Sequence, residues 1–566
     1  MKRSIHVVAA LATAAALALT GCGGGSSDSK GGSAKVDETA ADIQINQQDR
    51  ANLKQGGELR WAIGEFPVNW NRPHQNGNSK DTVTIVDDFM APRNILSDAE
   101  GKITMNPLYV ESADVEPGPP QVVKLKLNKE AKWNNGDPIT WEDYQATWKA
   151  LSGENKEFEA ASTDGFNQVA SVEKGADEYE VVITYKEASP DWQSTWSTVR
   201  NKNAMKDPET FNNGQKEAPN MDWLAGPFVV AENGIDKAQK TVTLVPNDKW
   251  WGDKPLLDKV IFREIKDPGA AATAFANKEI DVVDGLINAD QTTKVQQRPD
   301  GELRQSSGYT WRHFTFNSKH GVLADQAVRQ AIVKGINREA IAKSDLAGMP
   351  IEDVSKLMIG NHFFKPGQDG YQDNTGDYAY NPEAAGKELD ALGWKLEDGK
   401  EYRTKDGKEL EFSYLMLSGI PTSENEGKLL QADMKKIGVK VTMDAQAPDK
   451  FQDILTNRSF GVIAFAWVST IFPMANVGQI YGCESNSNYT SVCSDKITEL
   501  TKKIDTELDH AKRIELTNEV DKVIWDEVMT VPLYLRRNFI ATPKDLANFG
   551  APGSASLPVE NIGYMK

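Results

Sequence analysis

Two stretches of the chain alternate between apolar and polar residues in the manner of half-buried strands. Residues 57–63 and 121–127 show this alternation, which places every second side chain on one face of a sheet. Thr140 then precedes a run with helical spacing, and Asp143 follows three residues later. This arrangement predicts a helix that begins at Thr140 with a capping box.

Strands and helices continue to alternate through the rest of the chain. The pattern predicts strands within residues 226–264, 411–416 and 439–443, and helices over residues 268–277 and 325–341. Such alternation favours an α/β fold. The length of 566 residues exceeds what one hydrophobic core serves, so we expect about three domains.

The first residues carry the pattern of an export signal. Lys2 and Arg3 precede an apolar run over residues 7–19, which is too short to span a bilayer comfortably. The run leads through Leu-Thr-Gly into Cys22, which resembles the lipobox at which bacteria attach a lipid to cysteine. We therefore expect residues 1–21 to be a signal peptide and Cys22 to be lipidated. The alternative is a soluble secreted protein that has a cysteine near its cleavage site.

The residues after Cys22 are rich in Gly, Ser, Asp, Lys and Gln and contain few apolar side chains. Such a composition cannot bury enough surface to order itself. Residues 22–54 are therefore predicted to be a lipidated cysteine and a flexible tether, in the style of an actinobacterial envelope protein. Since no later segment has a long apolar run, we expect the body of the protein to lie outside the bilayer.

The net charge and the cysteines indicate which partners and cross-links the protein can have. The formal net charge is −18, which argues against a nucleic-acid partner because the phosphate backbone repels an acidic surface. With Cys22 lipidated, Cys483 and Cys493 remain, and export permits a disulfide between them. The alternative, two ligands of a metal site, lacks nearby histidines or further cysteines.

Sequence motifs of catalytic sites are not found. The histidines are scattered without metal-ligand spacing, and the chain has no HExxH, GxSxG, P-loop or post-strand GxGxxG motif. The 82 acidic residues make chance carboxylate pairs certain, so a glycosidase-like pair cannot be inferred. We therefore expect a protein that is not an enzyme and that uses no metal or cofactor.

Two loops are candidates for contact with a ligand because they place tryptophans beside polar residues. Rigid aromatic side chains with a few polar groups are typical of binding clefts. For any single tryptophan, an ordinary core position remains the commoner environment. The predicted ligand contacts are Phe66, Asn69, Trp70, Trp467, Ser469 and Thr470.

The strand at residues 121–127 is followed by residues 133–143, WNNGDPITWED. This segment resembles the signature of the peptide/nickel-binding family of ABC-importer solute-binding proteins, a strand followed by W-x-[DN]-G-x-P-[IVL]-T-x-x-D. The resemblance continues in the family's order to the C-terminus, through residues 225–228, 247–258, 277–281, 316–339, 381–394 and 531–534.

The resemblance implies an α/β fold of the two-lobe, type II periplasmic-binding-protein class. The lobes of such proteins close on the ligand about a hinge of two crossing strands, here near residues 309–316 and 531–535. The implied boundaries are residues 55–97, 222–308 and 529–566 for lobe I, 98–221 for an additional domain on lobe I, and 309–528 for lobe II.

One segment departs from the family pattern. Peptide binders of this family typically follow a cleft tryptophan with an aspartate that pairs with the ligand's ammonium group, whereas Trp467 is followed by Val-Ser-Thr. Loss of a charged partner in a closed cleft weakens the binding of a cationic terminus. Either another acid replaces the aspartate, or the ligand is not an ordinary free peptide.

The implied function is a lipid-anchored, monomeric solute-binding protein on the outer face of the cell membrane. It would capture an oligopeptide or modified peptide and deliver it to ABC permease subunits. The alternatives are a surface lipoprotein of the same fold that binds a glycolipid or another non-peptide solute for envelope assembly or signalling, and a secreted hydrolase.

Overall fold

The computed structural model describes residues 43–475 and 477–566. The predicted signal peptide, Cys22 and the first part of the predicted tether lie outside these residues. The strands are β1 (Glu58–Ile63), β2 (Ile95–Ser97), β3 (Ile103–Met105), β4 (Val110–Glu116), β5 (Val122–Leu127), β6 (Val169–Lys174), β7 (Glu180–Tyr185), β8 (Phe228–Asp236), β9 (Thr241–Pro246), β10 (Lys259–Glu264), β11 (Val283–Asp284), β12 (Gly301–Ser306), β13 (Thr310–Phe316), β14 (Thr404–Lys405), β15 (Lys408–Glu409), β16 (Glu411–Leu417), β17 (Lys440–Gln446), β18 (Val462–Val468), β19 (Thr530–Leu535), β20 (Asn538–Pro543), β21 (Leu546–Ala547) and β22 (Gly563–Tyr564).

The α-helices alternate with these strands over most of the chain, as the sequence pattern predicted. They are α1 (Lys80–Val83), α2 (Trp141–Leu151), α3 (Trp192–Thr195), α4 (Pro208–Asn213), α5 (Pro268–Ala276), α6 (Ala289–Val295), α7 (Gln326–Lys334), α8 (Arg338–Asp345), α9 (Pro382–Ala391), α10 (Pro421–Lys436), α11 (Phe451–Asn457), α12 (Val477–Tyr481), α13 (Asp495–Ile504) and α14 (His510–Glu527). A π-helical segment, Thr84–Asp88, directly follows α1.

Three large sheets organise these elements. Sheet A has the strand order β1-β10-β9-β8, and β1 pairs with β10 in parallel. Sheet B has the order β4-β5-β7-β6 and is antiparallel throughout. Sheet C has the order β17-β16-β18-β13-β19 and mixes parallel with antiparallel pairs. A smaller sheet, β11-β20-β12, combines strands from the middle and the end of the chain.

Each large sheet packs against its own hydrophobic cluster. Sheet B covers a cluster that includes Trp133, Tyr144 and Trp196, all nearly inaccessible to solvent. This cluster reaches Trp250 and Trp251, which follow β9 of sheet A. Sheet B therefore packs beside sheet A, whereas sheet C has a separate core.

The segment that carries the family signature performs structural tasks. Gly136 adopts a φ of +93°, which a turn requires and which glycine adopts without steric cost. Thr140 and Asp143 form the predicted capping box of α2, in which the Thr140 backbone N–H donates to Asp143 Oδ2 at 2.9 Å. The motif thus sets the entry into α2, as the sequence indicated.

The prediction of one helix over residues 325–341 is wrong in its continuity. The structure has two helices, α7 and α8, with residues 335–337 between them. Asn337 caps α8, because its side chain accepts a hydrogen bond from the Ala340 N–H at 3.0 Å. A side chain that competes for backbone donors in this way favours a new helix start.

The prediction of a flexible tether is wrong for residues 43–54. Ile43, Ile45 and Leu53 are buried against the C-terminal part of the chain. The Gln44 N–H donates to the Ala551 carbonyl, in an isolated β-bridge. Three apolar side chains, too few to form a core alone, become buried here because the C-terminal segment already provides an apolar surface.

The predicted lobe boundary at residue 529 does not coincide with a break between sheets. Strand β19 lies at the edge of sheet C, where it pairs with β13, so this strand shares a sheet with β13, β16, β17 and β18. The chain crosses twice between sheet C and the smaller sheet. One crossing joins β12 to β13, and the other joins β19 to β20 through residues 536–537. The two crossings lie side by side, since the Arg536 N–H donates to the Thr310 carbonyl at 2.8 Å.

A buried lysine lies beside these crossings. The Lys365 ammonium is 3.5 Å from the centroid of the Tyr309 ring, and Lys365 is only 7% exposed. Its nitrogen has no hydrogen-bond partner among the described residues, and burial lowers the pKa of Lys365 to about 6. The hinge region thus contains an amine that is costly to charge.

Candidate binding site

A cavity of about 1240 Å³ separates the sheet B region from helices α12–α14. One wall is formed by residues 72–87 and by the segment from α2 to residue 200. The other wall is formed by residues 475–513. The cavity is therefore enclosed by two parts of the chain that lie far apart in sequence.

The walls carry many neutral polar side chains, which can donate and accept hydrogen bonds without a fixed charge preference. The first wall contributes Asn78, Ser162, Asn167, Gln168, Thr195 and Thr198, and the second contributes Gln479, Ser485, Thr498 and Thr501. A solute with several amide or hydroxyl groups can be satisfied by such a surface.

Two arginines share one carboxylate on the first wall. Asp87, in the π-helical segment, lies 3.0 Å from Arg72 Nε and accepts a hydrogen bond of 2.6 Å from Arg200 Nη2. Arg200 is 8% exposed. Burial lowers the pKa of the Arg72 guanidinium, and repulsion from Arg200 adds to this effect. Within this cluster two guanidinium groups share one carboxylate, although Asp164 and Asp191 also line the same wall, and π-helical turns often mark functional positions.

The opposite wall also carries carboxylates. Glu484, Asp495 and Asp505 line the cavity there, beside Lys502. None of these four side chains forms a salt bridge in the part of the chain that the structure describes. Both walls of the cavity thus carry charges of each sign, with the guanidinium groups of Arg72 and Arg200 clustered on the first wall and three carboxylates on the second.

A disulfide braces the second wall. Cys483 and Cys493, both of which line the cavity, are bonded to each other with a Cα–Cα distance of 4.5 Å. Inside the loop that they close, the Asn488 amide donates to the Gly482 and Val492 carbonyls. The loop is therefore held by a covalent bond and by internal hydrogen bonds. Among the described residues, no group of side chains has the arrangement of a metal site.

A smaller pocket of about 320 Å³ lies within the sheet A region. Trp61, Phe89 and Phe549 provide aromatic surface there, and Asp88 pairs with Arg93 at its edge. Asp87 faces the large cavity and Asp88 the small one. The π-helical segment therefore forms part of the wall between the two.

The predicted contacts on the first loop are structural in this conformation. Trp70 is 1% exposed and packs edge-on against Phe66 in the core beneath sheet A. Asn69 is equally buried, where its amide donates to the Asn212 carbonyl and its oxygen accepts from the Asn71 N–H. These three residues line neither cavity, because the loop turns inward and not toward the solvent.

The predicted contacts on the second loop are more accessible. Trp467 is half-buried and stacks between His313 and Tyr489, with ring planes within 10° of parallel. The Ser469 N–H donates to the Tyr309 carbonyl, and the Thr470 hydroxyl hydrogen-bonds within its own turn. None of the three lines either cavity, although residue 475, a few positions later, does.

The sequence analysis missed the charged residues of the cavity. Arg72, Asp87 and Arg200 were not singled out from the sequence. No local pattern distinguishes them, because Asp87 and Arg200 are more than 100 positions apart. The signal that was available is the cluster of Ser, Thr, Asn and Trp around residues 189–201, which resembles the polar and aromatic composition of other binding clefts.

The sequence of this chain matches a known protein family. Residues 104–489 match the family described as bacterial extracellular solute-binding proteins, family 5, middle region. The chain belongs to this family. It is 36% identical over 527 residues to the oligopeptide-binding protein OppA of Mycobacterium tuberculosis, a match that covers 92% of this chain and 87% of the relative.

Solved structures show the same fold for this family 5 protein. A periplasmic EDTA-binding protein, EppA, superposes with a TM-score of 0.83 at 24% identity, covering 93% of this chain and 99% of that one. The oligopeptide-binding protein AppA of Bacillus subtilis, in complex with a nonapeptide, superposes with a TM-score of 0.72 at 20% identity, covering 91% and 100%. The fold is therefore that of the type II periplasmic binding proteins.

Membership of family 5 fixes the general role. The protein is an extracytoplasmic solute-binding component of an ABC importer and not an enzyme. Within the described residues, no helix has the length and apolar character needed to cross a membrane.

Proposed function

We propose that this family 5 protein captures an oligopeptide or modified peptide in the 1240 Å³ cavity and delivers it to the permease of an ABC importer. The observation that carries the proposal is the cavity itself, which two distant parts of the chain enclose with polar side chains. Its volume exceeds the roughly 300–1,000 Å³ of typical small-molecule pockets, so there is room for several residues of a peptide.

The charge distribution supports a zwitterionic ligand. Arg72 and Arg200, which share the single carboxylate of Asp87, suit a ligand carboxylate, because guanidinium groups bind carboxylates in a fork geometry. Glu484, Asp495 and Asp505 on the other wall suit an ammonium group. These acids can take the role of the aspartate that is missing after Trp467.

The lobes of the proposed receptor follow the sheets. We assign residues 55–97, 222–308 and 536–566 to lobe I, 98–221 to an additional domain beside it, and 309–535 to lobe II. This assignment keeps β19 with sheet C and places the hinge at the two adjacent crossings. Closure about such a hinge brings the two cavity walls together.

The anchor belongs to the same proposal. Cys22 would carry the lipid after removal of residues 1–21, and residues 23–42 would connect it to the ordered segment that begins at Ile43. A flexible coil of about 20 residues reaches on the order of 25 Å, and a tether of this reach would keep the receptor near the permease. The receptor is proposed to act as a monomer on the outer face of the membrane.

A second candidate ligand is a glycolipid or another non-peptide solute. The observation in its favour is that Trp467 is followed by Ser469 and Thr470 without a carboxylate. The EDTA-binding relative EppA illustrates that this fold accepts a ligand that is not a peptide. The polar walls of the cavity favour the peptide, since a lipid tail needs an apolar channel.

Native mass spectrometry of the protein purified from its own host separates the two candidates. We expect bound masses that correspond to a mixture of peptides, whereas a glycolipid mass would establish the second candidate. Arg200→Gln should release most of the bound material, and Lys206→Gln, an exposed change in the same segment, should release none. Bound peptides that persist in Arg200→Gln would contradict the assignment of the site.

A further inference from the structure

A single ion pair connects the two walls of the cavity. Arg513, in the first turn of α14, is only 4% exposed. Its Nη1 donates to Asp191 Oδ1 at 2.8 Å, Nη2 donates to Asp191 Oδ2, and Nε donates to the Ile504 carbonyl at 2.9 Å. This bidentate arrangement uses the planar fork that distinguishes arginine from lysine.

The two partners are fixed to different parts of the molecule. Asp191 directly precedes α3, whose Trp192 is buried in the cluster beneath sheet B. Arg513 is attached through Ile504 to the end of α13, on the other side of the cavity. Movement of one wall relative to the other must therefore break the pair.

No second polar link accompanies this pair. In the described chain, no other hydrogen bond or salt bridge joins residues 98–221 to residues 309–528. Both Asp191 and Arg513 line the cavity. The connection between the additional domain and lobe II thus depends on one contact at the wall of the solute site.

We propose that the Arg513–Asp191 pair is a latch that holds the cavity closed even without solute. Burial makes the latch reversible, because two charges removed from water lose hydration that they regain when the walls separate. The pair therefore stabilises closure modestly and does not lock it. Its strength sets the fraction of molecules that are closed before a solute arrives.

The latch should also affect the affinity for solute. This expected effect on affinity rests on the proposed function, whereas the latch itself does not. A receptor that is closed more often binds solute with both walls more often, so a change in the closed fraction alters apparent affinity by the same factor. Couplings of this kind typically amount to about 5–150-fold. We expect loss of the latch to weaken solute binding within this range.

The test uses the full-length protein without any solute. Small-angle scattering and amide hydrogen exchange are measured for the wild type, Asp191→Asn, Arg513→Gln and the double variant. Each single change should increase the radius of gyration and speed exchange in residues 189–196 and 510–516. The double variant should be no more open than either single one, because both changes remove the same contact.

Two further variants complete the design. Lys503→Gln removes the Lys503–Glu499 pair, which lies on the surface of α13 within one wall, and should leave scattering unchanged. Arg513→Lys keeps the charge without the fork and should open the protein partly. Near-ultraviolet circular dichroism verifies that each variant is folded. If Arg513→Gln does not fold, Asp191→Asn, which preserves side-chain volume, tests the latch by itself.

The proposal is overturned if folded Asp191→Asn has the scattering and exchange of the wild type. It is equally overturned if the solute-free wild type already scatters as an open particle. Because no solute enters these measurements, either result leaves the proposed capture of peptides standing, and failure to find a bound peptide leaves the latch standing.

Discussion

Two clusters of buried charge in this protein have opposite balances. In the core of lobe II, Arg312 donates to Glu426 at 2.8 Å, and Asp345 lies close by, where it accepts from the Tyr534 hydroxyl at 3.0 Å. In the cavity wall, Arg72 and Arg200 share Asp87. One cluster has an excess of carboxyl groups and the other an excess of guanidinium groups.

Protonation can remove the excess negative charge of the core cluster but not the excess positive charge of the wall cluster. Burial and the charge of Glu426 raise the pKa of Asp345 to about 7, so a neutral Asp345 leaves one cation facing one anion. An arginine has no such means of losing its charge at neutral pH. The comparison teaches that the core cluster can balance its charges by protonation, whereas the wall cluster keeps two guanidinium groups on one carboxylate.

The largest expected effect comes from breaking the core cluster. Arg312→Leu leaves the fully buried Glu426 without a partner, and loss of one member of a buried pair costs about 3–5 kcal/mol. Denaturant unfolding at pH 7 measures the loss. Arg263→Leu, at a half-exposed arginine 3.9 Å from Glu279, serves as control and should change the free energy of unfolding by less than about 1 kcal/mol. Equal losses in the two variants would contradict the distinction.

The wall cluster should respond in affinity and not in stability. Arg200→Gln leaves Arg72 and Asp87 as a matched pair, so the melting temperature should change little. Affinity for the solute recovered from the host should fall about 10–100-fold, which corresponds to one charged hydrogen bond. Titration calorimetry measures it. A large loss of stability without loss of affinity would make this cluster structural.

Replacement of the buried Lys365 should have a smaller effect, and it should stabilise the protein instead of destabilising it. The pKa of Lys365 is about 6 in the native state, below its unfolded value, so the unfolded state binds more protons between about pH 6 and 10.5. Stability should therefore rise with pH through this window. Lys365→Met should remove that dependence and raise the melting temperature at pH 7 by roughly 3–6 °C. Lys356→Met, at an exposed lysine, should do neither.

The smallest expected effect is the contribution of Asp345, in the core cluster, to the pH dependence of stability. Because the native pKa of Asp345 is about 7, above its unfolded value, the native state binds more protons between about pH 4 and 7. This contribution to stability should be lost as the pH rises through 7. Asp345→Asn should flatten the profile between about pH 4 and 7, and the exposed change Asp398→Asn should not. An unaltered profile would show that Asp345 is already ionised at low pH.

Local sequence patterns predicted much of the secondary structure. The alternation at residues 121–127 appears as β5, and the Thr140–Asp143 capping box is present as expected. Such features depend on neighbours within a few positions, so the chain itself contains the information. Helix α8 was merged with α7 because the competing cap at Asn337 is a weak signal against strong helical spacing.

The candidate ligand residues depend on a different kind of information. Trp70 was singled out from its loop composition, yet the loop turns the side chain into the core. The residues that do line the cavity, such as Arg200 and Arg513, have ordinary surroundings in the sequence. Composition identifies residues that suit a cleft but does not tell which way a loop folds.

The sequence by itself determined most of the elements and the family, since these depend on short motifs and periodicity. Only the tertiary structure decided which charges meet. Asp87 with Arg200, and Asp191 with Arg513, are brought together over more than 100 and more than 300 residues of chain. Coulomb attraction acts over a few ångströms in space, and sequence distance does not measure that separation.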